Sequence, residues 1–578
     1  MILRSLCLLF IGLTTLTLSA QTKRYVDNTG GSDSNSGLDT LNAWATIQHA
    51  FDVAAPGDSV FIRNGDYLEH PILNVQGLPG APIWFGGYPS ENVTIIGLYG
   101  VQGPTRMTIV DKSHVVLERL NLNYLYGPDA TGILIRCTPN GLVQDVKLKF
   151  LSILGISWTG NPNLIPGPND NAQPIIAYGE GTTAANAISG LEISHCTVQN
   201  CNPGYSETIS LDGNVTDALI TQCGVYNNTN IGIHMGGGYG VCSVPALDKV
   251  RNSVITKCSA TGNVSAYATS AGIYIDGADS IIVHSNTCRG NGYGIEVGCE
   301  ENGTSQGVIV IDNLIYWNKE SGLAIGGYDT QTTGQVVGAL VRNNCFYRND
   351  SLYTGSGEMY ITKASDCMFR NNGFNVNEQN ILFSREDISP QANNGMDYDA
   401  WWVPTGDPMD AEVNWGPNVI SGYADYLATT GWNANGFFDE PQLAWPVQGG
   451  FTFGIQPTSP CVDAGDPATL VLPIEGPLRL QGPAIDIGRI ELANTSTGMD
   501  IPKGTTLILF PNPAQDRAWL PAGTGLRDIT LMDAMGRTLK QVRQLGGSLD
   551  LTGLSAGIYL VVALGNDGHR LSGRLVKE

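Results

Sequence analysis

Short apolar–polar alternations recur through the middle of the chain, each followed by a second short burst that ends in asparagine. SETISLDGN leads into ALITQCGVYN, and IGIHMGGG into SVITKCSATGN. AGIYIDGA, YGIEVGCE, SGLAIGGY and GEMYITKA are followed in the same way by IIVHSNTCRGN, VIVIDNLIYWN, ALVRNNCFYRN and CMFRNNGFNVN. The closing asparagines are Asn200, Asn227, Asn263, Asn291, Asn318, Asn349 and Asn377, at gaps of 27, 36, 28, 27, 31 and 28 residues. In Ile273-Tyr274-Ile275-Asp276 apolar and polar residues alternate, the period of a strand with one buried face. Ile209/Leu211, Ile233/Met235, Ile295/Val297, Leu323/Ile325 and Met359/Ile361 repeat it. A period in the high twenties, built from short strands separated by Gly and Asn, predicts stacked coils. Stacking sets equivalent positions ~4.8 Å apart, so inward residues form aliphatic ladders and the recurrent Asn stacks at a turn. Asn also tolerates the left-handed conformation of a tight turn.

The expected fold is therefore all-β: a right-handed parallel β-helix with an N-terminal helical cap, followed by a small C-terminal β-sandwich. An open coil end exposes strand edges and needs a cover. Ala43–Ala54 has helical apolar spacing, Pro56-Gly57-Asp58 stops it, and Ser59–Arg63 starts the first strand. Residues 1–20, with Arg4, an apolar run and Ser19-Ala20, read as a secretory signal peptide. The cap and first strand take 21–70, and coils take 71–384. A Trp-rich loop, cap and closing segment take 385–492, where Trp401, Trp402, Trp415, Trp432 and Trp445 gather. A polar linker spans 493–504, and alternating stretches from 505 to 578 make the sandwich.

Composition narrows the function. Glycine is 72 of 578 residues and charged residues only 15%, which suits a β chain with many tight turns. The formal net charge of −22 leaves no basic footprint for nucleic acid or an anionic membrane surface. After the leader no apolar run reaches the ~18 residues of a membrane span. Eleven cysteines follow the leader, an odd number, and most read as small buried apolar residues. No CxxC pair or HExxH supports a zinc site. Asp33–Asp39 packs oxygen ligands closely enough for calcium to be conceivable, although a polar turn is the simpler reading.

Tyr25–Asp33, Trp44–Gln48 and Pro56–Val60 resemble the N-terminal cap of secreted pectate-lyase-like β-helix proteins. Gly272–Gly277 and Gly294–Gly298 are similar to coils of that superfamily, and Ser459–Gly465 with Asp486–Gly488 to its closing segment. Together these cover roughly residues 25–490, and they speak for fold more than for activity. Phe510–Pro513, Asp533–Arg537, Leu554–Tyr559 and Arg574–Glu578 resemble a type IX secretion sorting domain. That resemblance implies export across the outer membrane of a Bacteroidota-type cell, through machinery that reads residues 505–578. Release or surface attachment then follows.

Aligning the coils also aligns their outward residues. One column reads Ser210, His234, Tyr274, Glu296, Ala324, Tyr360; the column two residues on reads Asp212, Gly236, Asp276, Gly298, Gly326, Thr362. The glycines would leave a hollow beside His234, Tyr274 and Glu296. Asp276 and Glu296 become diagonal neighbours with Cα atoms ~7–8 Å apart. Glycoside hydrolysis needs two carboxyls ~5–5.5 Å apart for retention or ~6.5–9.5 Å for inversion, and adjacent carboxylates drive one pKa up, making one of them the acid. Asp276 and Glu296 are accordingly the candidate acid–base pair. His234, Tyr274, Asp212, and the loop residues Glu300 and Asp329 would bind an extracellular polysaccharide, with Trp401 and Trp402 as a sugar platform and no cofactor. Two rival readings stand. One is a polysaccharide lyase, for which the columns lack a Lys or Arg base although Lys363 is close by. The other is a non-catalytic glycan-binding or adhesin-like surface protein.

Overall fold

The computed structural model describes residues 22–96, 105–327, 334–386, 392–444 and 454–492, and most of 507–577. The leader, the linker, Asp329 and Trp445 lie outside the described residues. Three 13-stranded sheets run the length of the main body, visited in turn by each coil. Their first full circuit is Ser59–Ile62, Gly65–Tyr67 and Ile72–Leu73. Pairing is parallel from coil to coil until the last strand of the third sheet, where Glu412–Trp415 meets Asn418–Ser421 antiparallel. This is a right-handed parallel β-helix. Short extra sheets occur where the return to the first sheet is long.

The corners explain the asparagines. Each first-to-second-sheet corner carries one residue at positive φ, among them Phe150, His195, Lys257, Ser285, Asp312 and Asn343. Phe150, Lys257 and Ser285 are poor left-handed residues in isolation, so stacking and not residue type alone holds the bend. The residue after the bend points inward. There Cys196, Cys223 and Cys258 give way to a ladder of Asn286, Asn313, Asn344 and Asn372. Each Asn Oδ1 accepts the backbone N–H of the preceding coil at 2.9–3.0 Å. A second ladder, Asn228, Asn263, Asn291, Asn318 and Asn349, lines the next corner. In its first coils the stacked residue is Asn228, one later than the periodicity suggested, and Asn200 and Asn227 take the left-handed position before it. Each ladder meets a buried acid, and beyond Asp399 the first continues to Asn433, whose Oδ1 accepts the Asp399 N–H at 2.8 Å. Glu358 accepts from Asn349 N–H at 3.0 Å, and Asp399 accepts from Asn372 N–H at 2.7 Å. Burial pushes each of these carboxyls up to about 8.

Both ends of the core are covered. Helix Ile47–Val53 buries Ile47, Ala50 and Phe51 over the first coil, and Thr46 caps it by accepting from His49 N–H at 3.0 Å. At the far end the sheets continue past residue 384. Gly395–Asp397, Ala400–Trp402, Glu412–Trp415 and Phe437–Phe438 add rungs, and helix Tyr423–Thr430 closes the stack with buried Tyr423 and Tyr426. The coil pattern is hard to see there because aromatic residues fill the core in place of aliphatic ones. Phe346, Phe374 and Trp401 stack in register, with centroids 4.7 and 3.8 Å apart. Residues 454–492 fold back over the outer face of the first sheet. Leu472 packs on Ile309 and Ile311, and Arg479 bridges Asp312 at 3.1 Å and Glu491 at 3.0 Å. All eleven cysteines after the leader are buried free thiols. The final unit pairs a four-stranded and a two-stranded antiparallel sheet around its own core of Leu531, Leu549, Leu551, Val561 and Leu575.

Candidate active site

The third sheet positions the polar patch. Ser210, His234, Tyr274, Glu296 and Ala324 are paired rung to rung, as are Gly236, Asp276, Gly298 and Gly326. The inward partners Ile209, Ile233, Ile273 and Ile295 are fully buried and anchor the register. The centre of the patch is His234. Its Nδ1 meets Ser210 Oγ at 2.8 Å and lies 3.6 Å from Asp212 Oδ1, while its Nε2 lies 3.7 Å from Asp276 Oδ2. Burial works against the imidazolium, but Glu207, Asp276 and Asp212 outweigh it and raise His234 to about 10.

Asp276 is 0% exposed. It accepts the Tyr239 hydroxyl on Oδ2 and the Glu300 N–H on Oδ1, the latter at 2.8 Å. Tyr239 belongs to the loop after Ile231–Gly236, which Asp248 ties down by accepting Gly240 N–H at 2.6 Å and Cys242 N–H at 2.8 Å. Asp276 therefore holds the patch together from below and is closed to a substrate. The acid–base pairing read from the register needs a different partner for Glu296.

The hollow expected over the glycines is filled. A Cβ on Gly236 would stand 2.2 Å from Asp212 Oδ1, and one on Gly298 3.1 Å from the Tyr274 ring. The neighbouring long side chains lean into the room that the glycines leave. Tyr274 is consequently buried, with its hydroxyl bonded to Glu300, and offers no ring face for stacking. Trp401 is not a platform either, because it is fully buried in the core against Phe374. Trp402 is half-buried against Phe438 on the second sheet, away from this face. Asp33 accepts from Ala45 N–H, Thr46 N–H and Thr46 Oγ1 at 2.8–3.0 Å, and Asp39 accepts from Leu41 and Asn42. That turn is thus held by its own hydrogen bonds rather than arranged around a cation. Among the described residues no group of three His, Cys, Asp or Glu could hold a metal.

The half-buried Glu296 and the exposed Glu300 face outward. Burial drives Glu296 well above the ordinary carboxyl range, the charges of Glu300, Asp276 and Glu320 add to that, and His234 opposes it. Glu300 is also raised, by burial first and then by Asp276. Two carboxyls escaped the sequence reading. Glu207, raised by burial to about 7, faces the patch because alternation slips before Ile209. Thr208 and Ile209 both point inward, and so do Gly232, Gly272 and Gly294 on later rungs, where a side chain would strike Asn263, Asn291 and Asn318. The residues before them, Ile231, Ala271 and Tyr293, turn outward and pack with Tyr274. The repeated Gly-Ile pair was the available signal. Glu320, hydrogen-bonded to the Tyr293 hydroxyl, reaches the patch from the next corner, which no strand period marks. Among these carboxyls and the fixed imidazolium, the outward, proton-holding carboxyl of Glu296 can donate a proton to a leaving oxygen.

Residues 508–578 match the secretion system C-terminal sorting domain. The tail is a type IX sorting domain, and it directs the protein to the cell surface or extracellular space. No described helix is long and apolar enough to cross a membrane. The "Uncharacterized protein YwoF" of Bacillus subtilis (strain 168) is 27% identical over 451 residues, covering 74% of this chain and 90% of that one. Among solved structures, pectate lyase Pel9A is similar with a TM-score of 0.39 and 14% identity, over 82% of this chain and 97% of that one. A rhamnogalacturonan lyase reaches 0.40 at 15% identity, over 65% and 87%. The GH136 lacto-N-biosidase from Eubacterium ramulus reaches 0.38 at 12%, over 64% and 66%.

Proposed function

We propose that this exported β-helix protein acts on extracellular polysaccharide and cleaves a glycosidic bond by hydrolysis. The observation that carries the reading is Glu296: a half-buried carboxyl, open to the outside, whose proton is retained because burial and neighbouring carboxylates disfavour its charge. Glu296 donates that proton to the leaving glycosidic oxygen as the carbon–oxygen bond breaks. Glu300, exposed on the strand exit and fixed through its backbone by Asp276, takes a proton from the attacking water. Asp276, His234 and Ser210 are positioning residues in this scheme. The outward columns between Ile176 and Ala324 contain no Lys or Arg to serve as a β-elimination base, which favours hydrolysis over lyase chemistry.

The test is a panel of plant, algal and microbial polysaccharides assayed for new reducing ends and for ultraviolet-absorbing unsaturated products. Reducing ends without absorbance are expected. Glu296→Gln should lower the rate at least ~100-fold while leaving the melting transition in place. Unsaturated products would show a lyase, binding without cleavage would show a glycan-binding surface protein, and full activity in the variant would remove Glu296 from the mechanism.

A further inference from the structure

Aromatic rings mark the corners that lead from the second sheet into the third. A depression on this edge is lined by Tyr126, Pro128, Trp158, Thr159 and Asp170. It is continuous with the next corners. Asp170 O accepts Tyr205 N–H at 3.1 Å, and Gly204 lies against the Trp158 ring. Gly204 O in turn accepts the Tyr267 hydroxyl at 2.7 Å, and the Tyr205 and Tyr267 rings touch with centroids 5.3 Å apart. Tyr267 precedes Ala271, whose register partner is Tyr293, and Tyr293 is bonded to Glu320 beside Glu296. The row from Trp158 to Tyr293 thus follows the solenoid axis for four rungs, about 19 Å.

The chemistry of the edge is one-sided. The corner segments 157–171, 200–206, 227–230 and 262–270 contain no lysine or arginine. Asp170, Glu207 and Glu320 flank the row, His234 is buried among carboxylates, and Arg289 and Lys319 come in only at the last corners, beside Tyr293 and Glu320. Between Trp158 and Tyr267 an anionic chain would meet repulsion and find no counter-charge. Neutral pyranose rings instead present C–H faces to aromatic rings and hydroxyls to carboxylates and amides.

We propose that this aromatic row is a binding track for a neutral linear glycan, with one pyranose ring seated in the depression at Trp158 and the chain running along the edge to Glu296. The proposal rests on the reading of Glu296 as the cleavage site, and it adds the substrate class and the direction of the chain. It excludes polyuronates.

The test uses the Glu296→Gln protein, titrated calorimetrically with trioses and hexaoses of β-1,4-glucose, β-1,3-glucose, β-1,4-xylose and β-1,4-mannose, and with hexagalacturonate. At least one neutral hexaose should bind tenfold or more tighter than its triose. Tyr205→Ala in the same background should remove most of that gain while leaving the melting transition unchanged, and Tyr205→Phe should retain the gain. Tighter binding of hexagalacturonate, no binding by any neutral hexaose, or an unaltered hexaose affinity in Tyr205→Ala overturns the track. If Glu296→Gln stays active while hexaose binding still depends on Tyr205, the track stands and only the assignment of the cleavage site fails.

Discussion

His234 shows how a single buried group sets the chemistry of its neighbours. With Ser210 and Asp212 on one ring nitrogen and Asp276 on the other, the imidazolium is enclosed by acceptors. Its charge pulls Glu296 down, whereas Glu320 pushes it up. A general acid works only while protonated, so activity should extend above the ordinary carboxyl range and fall on the alkaline side as Glu296 ionises. Removing a negative neighbour makes ionisation easier, and removing a positive one makes it harder. Glu320→Gln should therefore move the alkaline limb of kcat/KM to lower pH, and His234→Gln should move it to higher pH, each by up to about one unit. Opposite movements, or a limb that ignores both variants, would take the proton away from Glu296.

The asparagine ladders are the element that makes the corners uniform. Each amide joins its own coil to the next, so the corner is satisfied although its backbone is buried. Glu358 ends one ladder and Asp399 takes an asparagine's place in the other, each accepting donors while staying neutral through burial. Asp399 has an ordinary value of 3.8 and is raised to about 8 in the fold. The folded state thus holds a proton that the unfolded chain releases, and stability is full below about pH 4 and declines as pH climbs towards 8. Asp399→Asn keeps the acceptor and drops the titration. It should be more stable than the parent at pH 9, on the order of a few kcal/mol, and should lose that advantage at pH 4. Urea denaturation at both values reads this directly, and an equal difference at the two would place the effect in packing instead.

At the scale of the whole molecule, delivery and chemistry reside in separate cores. The sorting domain packs around Leu531, Leu549 and Val561, and the patch around His234 sits on the β-helix. A chain ending before residue 505 should keep the melting behaviour of the β-helix yet remain inside the outer membrane, as cell fractionation would show; its appearance outside would assign export to another segment. The repeated strand pattern, the helical cap over Ile47–Val53 and the sorting motifs are local and periodic, so they were legible in the sequence, and so was the rung-to-rung alignment of His234, Tyr274 and Glu296. The sequence by itself thereby determined a β-helix, its export and the face on which the polar residues gather. Only the tertiary structure decided which of them can be reached. Burial of Asp276, the leaning of Tyr274 over Gly298, the outward turn of Glu207 and the withdrawal of Trp401 into the core depend on side-chain volume and on neighbours one coil away, and strand alternation carries no information about either.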